Sequence, residues 1–370
     1  MLQLPGLIDP HVHVREPGAT HKEDWATATA AALAGGFTLI LAMPNTDPPV
    51  TSASRLEAAL EAAYTKARCD YAQFLGAGPH NGGWFFPADL PYRAAGLKMY
   101  LDSTYGDLRL DAMTLWEPHF RNWPRDWPLV VHAERRTLAA ALLFAALHER
   151  PVHIAHVSRA EEILLIRRAK EKGLPVTCEV TPHHLFLSAE DIPAISRGHP
   201  GRGEVRPRLA APEDVQALWE NLDVIDCFAT DHAPHTLEEK DGEDPPPGFP
   251  GLETALPLFL SAVSEGRLTL ETLIEKMYRN PRKIFRLPEQ VQTWIEVDEA
   301  ARWEIRAPEQ YTKCGWTPFE GRRVRGRVRR VVLRGREVFR DGEVLAPPGF
   351  GYNLRETETY EDPEPLECWL

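Results

Sequence analysis

Leu7-Ile8-Asp9-Pro10-His11-Val12-His13-Val14-Arg15 is the stretch whose reading decides the fold. It is an apolar run that ends in two imidazoles two residues apart. In a β-strand, residues i and i+2 face the same way, so His11 and His13 can converge on one point. Neutral imidazole nitrogen is a common ligand for zinc-like cations, which makes a metal a natural occupant of that point. Taken alone, the pair reads equally as two polar residues on a half-buried strand, and further ligands elsewhere in the chain have to decide.

Outward from this stretch, short apolar runs alternate with longer helical segments as far as about residue 234, the pattern of βα units around a parallel sheet. Eight runs are legible: 7–13, 37–44, 72–77, 96–101, 128–134, 152–157, 176–181 and 224–230. Between them, 22–33 is Ala-rich and stops at Gly35-Gly36, and 52–68 opens with Ser/Thr caps. The segment 159–172 carries Ile163, Leu164 and Ile166 on one face before Gly173, and 212–221 behaves similarly. Eight strand-helix units predict an α/β fold of the TIM (β/α)8 barrel type over 7–290. Two further helices are expected at 253–264 and 269–278, the second closed by Asn280-Pro281. From Trp294 the period changes to two: Arg323, Arg325, Arg327 and Arg329 alternate with Val324, Gly326 and Val328. This predicts a small accessory β-region from 1–6 and 291–350, with the arginines on a solvated face, followed by an acidic tail or linker at 351–370. Pro245-Pro246-Pro247-Gly248-Phe249-Pro250-Gly251 is too rigid for a helix and should arch over the barrel mouth.

Composition bounds the function. The 370 residues are 43% hydrophobic and 26% charged, an ordinary globular balance that can support a core without disulfides. A net charge of −12 argues against nucleic acid or an anionic membrane as partner, since both need a positive field. Cys69, Cys178, Cys227, Cys314 and Cys368 are widely spaced with no Cys-x-x-Cys pair, which points to a reducing, cytoplasmic setting. There is no apolar stretch long enough to span a bilayer and no signal-peptide pattern. The abrupt start, with residues 1–6 ahead of the first strand, suggests a domain cut from a longer polypeptide.

The polar residues at the strand ends form one set. The first strand ends in His11 and His13, the fourth carries Lys98, the fifth ends in His132, the sixth in His156 and the eighth in Asp231. In a TIM barrel such positions surround a single cavity. Four imidazoles and a carboxylate can hold two divalent cations, but two close cations need an anion between them. Lys98 alone reads as a strand-end lysine that snorkels to solvent. Desolvated among histidines, however, its neutral amine can add carbon dioxide, and the resulting carbamate offers one oxygen to each cation.

With these residues assembled, Asp9-x-His11-x-His13-x-Arg15-Glu16-Pro17-Gly18, Met43-Pro44-Asn45-Thr46, Gly96-Leu97-Lys98 and Ala229-Thr230-Asp231-His232-Ala233-Pro234-His235 together resemble dihydroorotase of the amidohydrolase superfamily. The likeness is nearest to the dihydroorotase domains of the animal multifunctional pyrimidine-synthesis proteins and runs from Pro5 to about Pro348. It implies reversible cyclisation of N-carbamoyl-L-aspartate to L-dihydroorotate in de novo pyrimidine synthesis. It also implies a homodimer within a polypeptide that carries carbamoyl phosphate synthetase and aspartate transcarbamoylase. By the same resemblance, His11, His13, carbamylated Lys98 and Asp231 would hold one zinc. Lys98, His132 and His156 would hold a second, with a hydroxide bridging the pair and Asp231 shuttling the proton. Arg15, Asn45 and His235 match positions that hold the substrate carboxylate, and Arg15 has the planar fork that suits one. Asn45 by itself would read as a turn residue. Arg206 matches a further substrate-side arginine, and backbone groups of Pro247 and Gly248 would read the ring.

The same resemblance makes Leu101-Asp102-Ser103-Thr104-Tyr105-Gly106-Asp107 a mobile loop that folds over substrate, with Thr104 and Tyr105 at its tip. The family more often has Phe where Tyr105 stands; the ring is expected to cover the site and the hydroxyl to add a polar tip. Relatives with a third zinc use a cysteine where this chain has Ala155, so two metals are expected here although Glu179 remains. The alternatives within the fold are another cyclic amidase, such as a dihydropyrimidinase, hydantoinase or allantoinase, and a catalytically inactive scaffold. The former group lacks the Arg15 and Asn45 pair, and the latter loses metal ligands that this chain keeps.

Overall fold

The computed structural model describes residues 1–83 and 87–356. Its strands in chain order are β1 (Leu2–Pro5), β2 (Leu7–Val12), β3 (Phe37–Ala42), β4 (Asp70–Gln73), β5 (Leu75–Gly76), β6 (Leu97–Tyr100), β7 (Leu129–His132), β8 (Val152–Ile154), β9 (Val176–Val180), β10 (Cys227–Phe228), β11 (Trp294–Glu304), β12 (Arg323–Leu333), β13 (Arg336–Arg340) and β14 (Glu343–Val344). Parallel pairing runs β2-β3-β4 and then β5-β6-β7-β8-β9-β10. Helices alternate with these strands, so this is the expected α/β barrel.

Its third strand differs from the expected 72–77, since β4 pairs with β3 while β5 pairs with β6. The switch occurs at Phe74, whose N–H goes back to Ala42 O while the next N–H, that of Leu75, goes forward to Gly96 O. The eighth strand is shorter than 224–230, but Asp226 N–H to Cys178 O and Ala229 N–H to Val180 O extend its contact with β9. Closure onto β2 comes from a parallel bridge between Val12 and His232 and from His13 N–H to His232 O at 2.8 Å.

Period-2 alternation sorts the strand residues between two cores. Ile8, Leu39, Leu41, Ala72, Phe74 and Val130 pack inside the barrel, with Phe285 edge-on to Phe74 at 6.0 Å. Leu7, Ile40, Ala42, Tyr71 and Val131 face outward onto the helices. These apolar layers fill the barrel's lower part, so the polar strand ends can gather only at the opposite rim.

Local signals moved several helix boundaries. The helix expected at 22–33 spans Trp25–Ala34, because the Asp24 carboxylate accepts the Thr27 N–H at 2.9 Å and caps it there. Lys22 is consequently left in the preceding turn. Asn280-Pro281 does not close the helix before it: a wider π turn over Glu275–Arg279 leads directly into a further helical stretch, Asn280–Ile284, which contains Pro281.

The accessory sheet is antiparallel in the order β1-β11-β12-β13-β14, with β1 supplied by the N-terminal residues. Gly326, at φ +82°, lets β12 lie on the helix Ala255–Ser264; a Cβ there would come within 2.4 Å of Leu260 Cδ1. The β12 arginines alternate outward from buried Val324, Gly326 and Val328 as expected, and two of them make ion pairs on that solvated face. Arg327 pairs with Glu309 at 3.3 Å and Arg329 with Asp298 at 3.3 Å.

At the end of the chain, Leu354 N–H reaches Tyr71 O at 2.9 Å, so 351–356 packs on the barrel, whereas a tail was expected from 351. The rest of that expected tail, 357–370, lies outside the described residues, as does Cys368. Cys69, Cys178, Cys227 and Cys314 are buried free thiols, and no helix among the described residues is long and apolar enough to cross a membrane. Replacing Phe74 by Ala should cost about 3–5 kcal/mol in equilibrium denaturation, because its ring fills the barrel interior at a strand break that cannot easily collapse. An unchanged denaturation midpoint would contradict that packing role.

Candidate active site

The rim of the barrel gathers the strand ends around one small cavity. His11, His13, Arg15, Asn45, Thr104, Tyr105, His132, His156, Arg206, Asp231, Pro247 and Gly248 all line it. Lys98 lies directly beneath, fully buried, with Nζ 3.4 Å from His11 Nε2. His235 stands behind Arg15, its Nε2 2.9 Å from Arg15 Nη2. The structure therefore brings together every residue singled out from the sequence.

One end of the cavity is built from electron-pair donors. Asp231 Oδ1 is 3.1 Å from His13 Nε2 and 3.3 Å from His11 Nε2, and His132 Nδ1 faces His156 Nε2 at 2.9 Å. Ligand atoms of His11, His156 and Asp231 all lie within 4.8 Å of one another. Burial pushes the His13 and His156 imidazoles well below their ordinary range and lowers that of His11, so these rings are neutral and free to ligate. Burial also lowers the Lys98 amine to about 8. So many lone pairs turned toward one another, away from water, suit a cation among them. His156 Nδ1, moreover, is buried with no hydrogen-bond partner, and His132 Nε2 has only the Glu134 carboxylate, at 3.4 Å. His156 and Asp231 sit at φ +35° and +46°, a left-handed conformation that bulky residues adopt rarely and mostly at functional sites.

At the opposite end the charge is reversed. Arg15, at φ +65°, donates through Nε to Pro234 O at 3.1 Å, while its buried Nη1 has no partner. Asn45 accepts from His13 Nδ1 at 2.7 Å and gives its amide to Tyr105 O at 3.0 Å, tying metal end to loop. Lys240 Nζ donates to Glu204 O at 2.7 Å and Pro246 O at 2.9 Å, which fixes the proline-rich arch over the mouth.

A donor-rich pocket joined to an anion pocket on a barrel rim is reflected in the relatives. A family model described as "Dihydro-orotase-like" matches residues 1–74. The multifunctional protein CAD of Squalus acanthias is 59% identical over 96% of this chain, which spans 16% of that protein's length. Dihydroorotase of Pyrococcus furiosus is 35% identical, with 93% of this chain covering 83% of that enzyme. This chain belongs to the dihydroorotase family. Among solved structures, the inactive dihydroorotase-like domain of a Chaetomium thermophilum CAD-like multifunctional protein superposes with a TM-score of 0.81 at 30% identity, covering 95% of this chain and 99% of that one. Dihydroorotases are cyclic-amide hydrolases that depend on metal, and the His/Asp cluster is where this member of the family can hold one.

Some neighbours of this cavity carried no motif. Tyr100 lines the cavity with a buried, unpartnered hydroxyl; its two-residue offset from Lys98 on β6 was the signal. Lys22 is another, concealed by its apparent place inside a helix. Glu179, on β9, accepts from His11 Nδ1 at 2.5 Å and from His153 Nε2 at 3.1 Å. Burial pushes the Glu179 carboxyl up, but His11 and His153 outweigh it and hold it well below its usual range. Glu179 thus keeps the proton on His11 Nδ1 and turns Nε2 toward the cavity. Glu179→Gln should weaken divalent-metal binding about 10- to 100-fold in a chelator competition, with the fold retained. Unchanged affinity would show that His11 needs no such support.

Proposed function

We propose that this chain is an active dihydroorotase, catalysing the reversible cyclisation of N-carbamoyl-L-aspartate to L-dihydroorotate. The observation that carries this reading is the unpartnered Arg15 Nη1, facing the same cavity as a full set of metal-ligating side chains. His11, His13, His132, His156 and Asp231 would hold two zinc ions, with Lys98 joining them as a carbamate. Its amine, lowered to about 8, is available for that addition at neutral pH. With Ala155 in place of a cysteine, and with His153 occupying the second oxygen of Glu179, a third zinc is not proposed. Bound zinc supplies an electrophile that polarises the reacting carbonyl and lowers the pKa of water.

The chain's own groups do the rest. Both substrate and product keep the α-carboxylate, which Arg15 would take through its free Nη1, with Asn45 and His235 beside it. In cyclisation the terminal ureido nitrogen attacks the side-chain carboxyl carbon, a C–N bond forms and water leaves. Asp231, which burial raises above an ordinary carboxyl, is suited to take the nitrogen's proton at a carboxylate oxygen and return it to the departing oxygen. Arg206, paired with Glu204 at 2.8 Å, and the Pro247 and Gly248 backbone would border the ring. Thr104 and Tyr105 would close the loop over it. A hydantoinase-type substrate has no carboxylate to satisfy Arg15, which sets that reading aside.

We further propose that the barrel works in the cytoplasm as a homodimer within a larger multienzyme polypeptide alongside carbamoyl phosphate synthetase and aspartate transcarbamoylase. The match to a small part of a multifunctional relative supports the polypeptide. Exposed Leu143, Leu147, Leu164 and Leu165 on the neighbouring helices Arg136–Leu147 and Ala160–Glu171 offer an apolar face for the dimer. A joint measurement of carbamoyl-aspartate cyclisation and bound zinc tests the reading. Lys98→Ala should lose both, whereas Arg15→Lys should keep its zinc and raise KM about 10- to 100-fold, the worth of a charged, forked hydrogen bond. Activity and zinc retained by Lys98→Ala, or an unaltered KM in Arg15→Lys, would overturn it.

A further inference from the structure

Lys22 belongs to no motif, yet its ammonium is buried beside the site. It has three N–H donors and three neighbours to receive them: Glu239 Oε1 at 2.9 Å, His235 Nδ1 at 3.1 Å and the Tyr105 hydroxyl at 3.3 Å. The Tyr105 ring lies 4.5 Å from the same Nζ and 4.8 Å from Arg15 Cζ, and its edge meets the His235 ring at 4.9 Å. One ammonium therefore joins the turn before the first barrel helix, the exit of the eighth strand and the tip of the loop after β6.

The geometry also decides where His235 carries its proton. Its Nδ1 faces Lys22, its Nε2 faces both Pro247 O at 3.1 Å and Arg15 Nη2 at 2.9 Å, and a neutral imidazole has one donor and one acceptor. With the proton on Nε2, Lys22 donates to Nδ1 and Nε2–H donates to the Pro247 carbonyl, so two bonds are made. With the proton on Nδ1, Lys22 meets another donor, Pro247 O loses its donor, and only Arg15 is satisfied. The first arrangement is better by one hydrogen bond. It leaves Nε2–H and the Arg15 guanidinium as adjacent donors, and a carboxylate placed between them would accept from both.

We propose that Lys22 is a positioning residue of this site: it holds His235 with Nε2–H turned toward the anion pocket and latches the 102–107 loop through the Tyr105 hydroxyl. Glu239 neutralises the lysine locally, so Lys22 acts on the substrate through His235 and Tyr105 and not as a third cation for the carboxylate. The hydroxyl that distinguishes Tyr105 from a phenylalanine acquires a partner, and the loop acquires a closed position. The substrate half of this inference rests on the dihydroorotase reading above, whereas the His235 proton does not.

Two measurements on the zinc-loaded protein test it. Nitrogen-15 shifts of labelled histidine should show His235 protonated on Nε2 in the wild type and mixed between tautomers in Lys22→Met. Steady-state kinetics with dihydroorotate should show KM raised roughly tenfold in Lys22→Met and several-fold in Tyr105→Phe, with bound zinc unchanged, and the double variant should be no worse than Lys22→Met alone. A wild-type His235 protonated on Nδ1, or a tautomer indifferent to Lys22→Met, would overturn the assignment. Additive effects of the two substitutions would overturn the latch, and Tyr105→Phe tests the latch even if Lys22→Met fails to fold. No turnover of dihydroorotate by the wild type would remove the proposed substrate while leaving the His235 shifts to decide on Lys22.

Discussion

The site depends on how the barrel's last strand is fastened to its first. Asp9 is fully buried, and its Oδ1 accepts from the N–H groups of His11 at 3.2 Å and Thr230 at 3.1 Å, while Oδ2 accepts the Thr230 hydroxyl at 2.5 Å. Burying a carboxyl group is costly, and here it pushes the group up to about 7 even with the Thr230 and His11 hydrogen bonds opposing the shift. What the burial secures is register. Residues 221 positions apart in sequence are pinned so that His11 and His13 leave β2 beside Asp231, with the Val12 to His232 bridge completing the ring. Once that junction is set, the parallel strands between deliver Lys98, His132 and His156 to the same rim.

Exclusion of water then gives these residues their chemistry. The same burial that keeps the His13 and His156 rings uncharged lowers the Lys98 amine, which leaves the histidines free to ligate and the lysine with the free amine that the proposed carbamate requires. Across the cavity the order is reversed, with Arg15 beside His235 and Arg206 at the rim. A ligand that carries a reacting carbonyl at one end and a carboxylate at the other matches both halves. Asn45, bonded to His13 on one side and to Tyr105 O on the other, keeps the two halves at a fixed separation.

Much of this was legible in the residues because strand periodicity and strand-end chemistry are local. The period of two that placed His11 and His13 on one face also separated the inner apolar layer from the outer one, and comparing the strand ends picked out the side chains that surround the cavity. What escaped was set by contacts between distant segments. The break at Phe74 reflects a change of hydrogen-bond partner from Ala42 to Gly96, which no pattern within 72–77 announces. Lys22 was hidden by Ala-rich helical character that runs past its real start, and only the Asp24 cap distinguishes turn from helix. The solvated face of Arg327 and Arg329 was legible from their alternation, but not their ion-pair partners, Glu309 and Asp298, which come from other parts of the accessory region.

Whether desolvation turns Lys98 into an anionic bridge between two cations can be read by loading the metal-free protein with zinc and carbon-13 bicarbonate. Two zinc ions per chain are expected, together with one carbamate carbon signal that is absent in Lys98→Ala. The reactive form is the free amine, so at a fixed concentration of dissolved carbon dioxide loading should quicken about tenfold for each pH unit up to about pH 8 and level off above it. Full zinc loading with no carbamate signal, or a single zinc per chain, would contradict the account.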